Sequence, residues 1–217
     1  MLAGQTLVAA DGYEVALFPM PYLRMSQDEG GDYSHQGTYN IDFIGWNGSR
    51  VLQAPIYAPV SCKVVYVENS YASGNMRVFE SLDVVHTPSG LQKILFYFNH
   101  DNTPVATYVG QVFNQGDVCS HTGTYGNVTG DHTHTCMGFG SWVSFSVSMT
   151  TRSTGHEDLT NRLHYWDAVY VNDTTIVQGY SHNWRTWDGP TPPTPTGVSF
   201  NHFPWVLYSR KFRNKRS

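Results

Sequence analysis

With 217 residues and 24.4 kDa, the chain can build one well-cored domain with short appendages. It is 14% aromatic and 14% charged, with 20 Gly and 14 Tyr; that mixture fits an all-β fold with many turns and speaks against long helices. Net charge is −4, but Arg210, Lys211, Arg213, Lys215 and Arg216 sit within the last ten residues without an acid. The body is therefore clearly acidic, at about −9, which excludes a nucleic-acid-binding surface of the usual basic kind.

Cys62, Cys119 and Cys136 are odd in number and form no Cys-x-x-Cys pair. This is neither a disulfide framework nor a thiolate zinc knuckle. The N-terminus lacks a basic region followed by an apolar run, Asp11 and Glu14 interrupting it, so no signal peptide is expected. No stretch approaches the ~18–20 apolar residues of a membrane span.

In chain order, residues 6–9 and 13–18 read as two short strands around an Asp11-Gly12 turn, ended by Pro19 and Pro21. Ser26 to Tyr33 is polar and Gly-rich, hence a loop. Tyr39 to Phe43 alternates as a strand, Ile56 to Val60 suits an edge segment, and Cys62 to Val67 is a strand. Residues 78–85 and 91–98 are two more, joined through Thr87-Pro88-Ser89-Gly90. Val105 to Val118 holds two short strands split by Gly110 and Gly116. Ser141 to Thr150 alternates again, and Leu159 to Val171 is the one candidate helix.

From Asp188 to Gly197, four prolines in ten residues predict an extended linker. The organisation expected is a domain over 1–187, a linker over 188–197 and an aromatic, basic arm over 198–217. The arm suits docking to a partner protein.

The chemistry gathers in two places. Gly130-Asp131-His132-Thr133-His134 carries two histidines one residue apart, which a strand projects to the same face. Ser34-His35-Gln36-Gly37 is followed, seven positions after the histidine, by Asp42 on a strand. A catalytic zinc site needs three His or carboxylate ligands and an open position for water. His35, Asp42 and His134 would supply such a set. Amide hydrolysis also needs groups to move protons and steady an oxyanion, and His100 and His132 suit both tasks. Taken singly, each of these residues reads as a polar loop or strand-end residue; only the combination points to a metal.

Four pieces resemble the lysostaphin-type (LytM-like) zinc endopeptidases that cut peptidoglycan cross-links. They are Ser34-His35-x-Gly37 with Asp42, Ala58-Pro59-Val60 before a strand, Phe98-Asn99-His100, and Val109-Gly110-Gln111-Val112 leading through Asp117 to Gly123-Thr124-x-Gly126 and Gly130-Asp131-His132-Thr133-His134. The resemblance runs from about residue 14 to residue 140. It implies an antiparallel β metallopeptidase with zinc on His35, Asp42 and His134, and His100 and His132 as the catalytic pair. The spacing from His35 to Asp42 is similar to that of a branch found in phage lysins and tail-tip proteins, which the segment from Asn172 to Trp184 also resembles. Thr135 and Cys136 depart from the family pattern. Cys136 is expected to be a small buried strand residue rather than a fourth ligand, since a fourth ligand would close the water position.

The resemblance implies peptidoglycan peptides as substrate and delivery on a phage virion at the tail tip, the arm docking to other tail proteins. An endolysin released through a holin, or a catalytically silent plug module of the same fold, are the alternatives. Zinc D,D-carboxypeptidases also use a histidine and an aspartate seven residues on, but complete the site with Glu-x-x-His, which is missing downstream here. His86, His121, His156, His164, His182 and His202 lack partners at useful spacing and read as surface or core polar residues.

Overall fold

The computed structural model describes residues 3–31, 33–151 and 155–170, together with the backbone of 175–177. The linker and arm expected over 188–217, the segment 178–184, His182 and His202 lie outside the described residues. Among those described the protein is mostly β, with two helices of one turn each.

The frame is built from β1 (Tyr22–Gln27), β2 (Ile41–Trp46), β3 (Arg50–Val51), β4 (Pro55–Tyr57), β5 (Cys62–Val67), β6 (Arg77–Ser81), β7 (Val85–Thr87), β8 (Gly90–Gln92) and β9 (Ile94–Phe98). It continues through β10 (Val112–Phe113), β11 (Val118–His121), β12 (Thr133–Phe139), α1 (Phe145–Ser148), β13 (Met149–Thr151), β14 (Glu157–Leu159), β15 (Arg162–Leu163), α2 (Tyr165–Ala168) and β16 (Thr175–Val177). The large sheet runs β10-β5-β6-β9-β12-β2-β1-β16, with β3 and β15 added on β2 and β12. Its pairings are antiparallel except β1 with β16.

Both faces of the sheet are covered. Ile41, Phe43, Phe79, Phe96, Phe98 and Met137 face a large core that includes Leu23, Met25, Tyr165 and Trp166. Val78, Leu95, Tyr97 and Cys136 face a smaller core with Met76, Met149 and Leu159. A strand buried on both sides has no need of a polar face, which explains the unbroken apolar run of β9. Asp42 and His134 alternate with the large-core residues and so belong to the second face, outside the apolar cluster of the smaller core.

Several sequence expectations are corrected. The helix over 159–171 reduces to α2, because Leu159 and Leu163 pair instead with Met149 and Met137 in neighbouring strands. Helices this short gain little from their own hydrogen bonds, so available strand partners win. The alternating stretch 141–150 begins as α1 and becomes a strand only at Met149. Residues 6–9 and 13–18 form isolated bridges such as Val8 with Glu14 rather than two strands. Within the expected loop from Ser26, Ser26 and Gln27 close β1, whose buried Leu23 and Met25 alternate as a strand requires.

Candidate metal centre

Three adjacent strands deliver the site. In the register of β12 with β2, His134 lies directly opposite Asp42, flanked by Thr133 opposite Phe43 and Thr135 opposite Ile41. On the other side of β12, Thr135 pairs with Phe98, the last residue of β9; the Asn99 N–H donates to the His134 carbonyl at 3.0 Å, and His100 follows. His132 precedes β12 and is held by paired backbone hydrogen bonds to Gly123 of 2.9 and 3.0 Å. His35 enters from the β1–β2 connection, its N–H donating to the Gly31 carbonyl.

His35 Nε2, Asp42 Oδ1 and His134 Nδ1 converge. The distances are 3.2 Å between the two histidine nitrogens, and 3.3 and 2.9 Å from them to the carboxylate. His35 Nδ1 lies 3.1 Å from the Asp28 carbonyl oxygen. A carbonyl only accepts, so Nδ1 carries the proton and Nε2 turns a lone pair toward the carboxylate oxygen. A lone pair and a carboxylate oxygen so placed are the donor set a cation would accept. A tetrahedral ion with bonds of 2.0–2.1 Å holds its ligand atoms about 3.3 Å apart, so the set fits zinc. Among the described residues this is the one cluster that could hold a metal.

Asp42 is oriented by Gln27. The Gln27 Oε1 accepts from the Ser34 N–H at 2.9 Å, which fixes the amide so that Nε2 donates to Asp42 Oδ2 at 3.0 Å. The register shift between Met25 and Gln27 sets Gln27 against Asp42; a bulge re-aims a side chain in this way. Burial alone would raise the Asp42 carboxyl, but His35, His132 and His134 around it hold it well below the ordinary range. Burial pushes His134 down to about 4, against the favourable effect of Asp42. A neutral imidazole at neutral pH is the form that binds a metal.

His100 and His132 stand beside the triad, their rings 4.6 Å apart, with His100 6.1 Å from His134. Their Nδ1 atoms lie 2.9 Å from the Tyr125 carbonyl and 2.8 Å from the Gly130 carbonyl, so both present Nε2 to the cleft. His132 Nε2 is 3.8 Å from Asp42 Oδ1. Burial, then the neighbouring His132 and His134, pushes His100 down to about 3. His100 has φ of 76° and is packed among glycines: a Cβ on Gly123 would meet its carbonyl oxygen at 2.0 Å, and one on Gly74 its Nδ1 at 2.5 Å. Asp131 accepts from Thr122 Oγ1 at 2.6 Å and from the Gln53 N–H at 3.1 Å, anchoring the turn before His132.

The structure thus brings all five expected residues into one cleft. Cys136 is apart from the metal triad, with its thiol 3.0 Å from Asp158 Oδ1 and its pKa pushed up by burial. Sequence reasoning missed two residues. Gln27 reaches Asp42 only through the register shift after Met25, which the alternation of Leu23 and Met25 does not announce. His156, expected to be an unpartnered polar residue, lies with its ring 5.1 Å from His134 and 6.0 Å from His35, and nothing in its local sequence announces this. His86, His121 and His164 also have partners, in Asp11, Asp101 and Glu29, but lie outside the triad.

The chain matches no protein-family model. It is 30% identical over 183 residues to Morphogenesis protein 1 of Bacillus phage B103, an alignment covering 82% of this chain and 46% of that protein, so the chain spans about half the length of that relative. Among solved structures it is similar to the catalytic domain of the prophage-encoded M23 protein EnpA from Enterococcus faecalis, at 18% identity over 58% of this chain and 88% of that one, with a TM-score of 0.43. It is also similar to the catalytic domain of the antimicrobial peptidase lysostaphin from Staphylococcus simulans, at 21% identity over 60% and 84%, with a TM-score of 0.38. Two of the similar solved structures are thus of an M23 protein and of the peptidase lysostaphin, and one of the curated relatives is a phage protein.

Proposed function

We propose that the protein is a zinc-dependent endopeptidase that hydrolyses peptide cross-bridges of bacterial peptidoglycan. The observation that carries this reading is the convergence of His35 Nε2, Asp42 Oδ1 and His134 Nδ1 with two further histidines aimed at the same place. Zinc held there supplies a Lewis acid for the scissile carbonyl and lowers the pKa of water to about 7.

The chain's own residues supply the remainder. Gln27 holds the second oxygen of Asp42, so the carboxylate offers Oδ1 alone. With Nδ1–H bound, His132 and His100 each turn the lone pair of Nε2 to this space, so either is placed to take a proton from water and, once it carries that proton, to hydrogen-bond the carbonyl oxygen as it gains charge. Their Nδ1–H bonds to main-chain carbonyls keep both rings from turning away.

The likeness to a phage morphogenesis protein supports a role in a phage particle, which fits a tail-associated lysin working on the host wall. Delivery on the tail tip and docking of the arm to tail proteins belong to the same reading. The domain is taken to span 1–187, with 188–197 as linker.

The test is zymography on purified cell walls with the wild type, His134→Ala and a chelated sample. We expect clearing by the wild type alone, with zinc falling from about one per chain to near zero in the variant. Clearing that survives both treatments would sink the zinc-peptidase reading. Stoichiometric zinc without clearing of any wall type would favour a silent structural module.

A further inference from the structure

His156 is the fifth histidine of the cleft, and it differs from the other four. His35, His100 and His132 have Nδ1 at a main-chain carbonyl, and His134 has Nδ1 at Asp42. Among the described residues, neither ring nitrogen of His156 has a hydrogen-bond partner; its neighbours are the His35 and His134 rings. It is partly buried, so it is no core histidine. It is also no fourth ligand of the triad, since its nitrogens fall outside the set that lies within 4.8 Å.

The backbone at this point is held firmly. The Glu157 carbonyl accepts from Asn40 Nδ2 at 3.0 Å and from the Tyr97 hydroxyl at 2.8 Å, and Glu157 pairs with Thr151 in the β13–β14 hairpin. Gly155 and Glu157 line a neighbouring pocket with Tyr66, Glu68 and Phe145, while His156 turns to the metal triad. Its ring stands on the side bordered by His35 and makes no ring contact with His100 or His132.

We propose that His156, on the peptidase reading of this centre, is a substrate-contacting residue. One ring N–H donates to the oxygen of the scissile peptide carbonyl from the side away from His100 and His132. A neutral imidazole always has one donor nitrogen, so the contact requires no change of protonation. An oxygen that becomes more negative during attack strengthens this bond, so the residue favours the transition state over the bound substrate.

The test uses the zinc-loaded full chain, as wild type, His156→Ala and His156→Gln. Three quantities are measured: zinc per chain, the Kd of a phosphinic Gly-Gly pseudodipeptide whose tetrahedral oxygens mimic the attacked carbonyl, and kcat and KM on wall peptides. We expect unchanged zinc and about tenfold weaker phosphinate binding in His156→Ala, the size of one hydrogen bond, with partial recovery in His156→Gln. On wall peptides kcat should fall more than KM rises. Equal phosphinate affinity in wild type and His156→Ala overturns the proposal whether or not walls are hydrolysed. Loss of zinc in His156→Ala overturns it in favour of a ligand role, and failure of the wild type to bind zinc or the phosphinate overturns it as well. Phosphinate binding that depends on His156, in a protein that clears no wall, keeps this contact and rejects the substrate assigned above.

Discussion

At the scale of single residues, the centre depends on which atoms are prevented from doing something else. Gln27 is the clearest case, because its amide is fixed by Ser34 and so holds Asp42 Oδ2 away from the metal position. Replacing it with Leu removes the donor while preserving bulk. Orienting partners of this kind contribute about 10–100-fold to metal affinity, and zinc titration against a chromophoric chelator should show a loss in that range without loss of fold. His100 makes a second prediction. Its folded pKa is about 3 against an ordinary 6.5, so between those values the unfolded chain binds a proton that the folded chain refuses. Stability is complete above pH 6.5 and falls on acidification, by at most about 1.4 kcal/mol per pH unit for one group. Melting of metal-free protein between pH 7 and 4 should therefore have a shallower pH dependence in His100→Gln. An equal slope in both proteins would contradict the assignment of a buried, neutral His100.

At the scale of elements, the pairing of β2 with β12 fixes Asp42 against His134, while His35 comes from a loop. A one-residue slip between β2 and β12 would turn Asp42 toward the large core and bring Phe43 to the cleft. The buried Ile41 and Phe43 prevent this, at a cost of several kcal/mol for exposing them. Loops carry the remaining residues, and there glycine decides the geometry. A Cβ on Gly123 would lie 2.0 Å from the His100 carbonyl oxygen, so Gly123→Ala must push His100 and the turn at 123 apart. The expected result is a loss of about 2 kcal/mol or more, with zinc still bound and hydrolysis reduced at least tenfold. Chemical denaturation and zinc stoichiometry together check it, since all three ligands lie outside the displaced segment.

At the scale of the whole molecule, two cores of unequal size on one sheet define the position of the cleft. The large core covers one face, while Asp42 and His134 lie on the other, outside the apolar cluster of the smaller core. The site draws on residues from Gln27 to His156, well before the Pro-rich stretch at 188–197. A chain ending at Trp187 should accordingly bind one zinc with unchanged affinity, and its melting temperature should stay within about 2 °C of the full chain. Loss of zinc binding on truncation would show that the arm takes part in the domain.

The sequence by itself determined the residue types and much of the strand frame. Alternation revealed Cys62–Val67, the hairpin at 87–90 and the strand bearing Asp42, because side-chain period and turn chemistry are local properties. The resemblance to lysostaphin-type peptidases also singled out His35, Asp42, His100, His132 and His134 as candidates, though not His156. Local sequence could not show that Leu159 and Leu163 would prefer strand partners 10 and 26 positions away to a helix. Nor could it show the bulge that swings Gln27 onto Asp42, or the return of β14 that sets His156 against His134. Those outcomes are pairings between distant segments, decided by which strand edges and apolar faces remain to be covered once the sheet has formed.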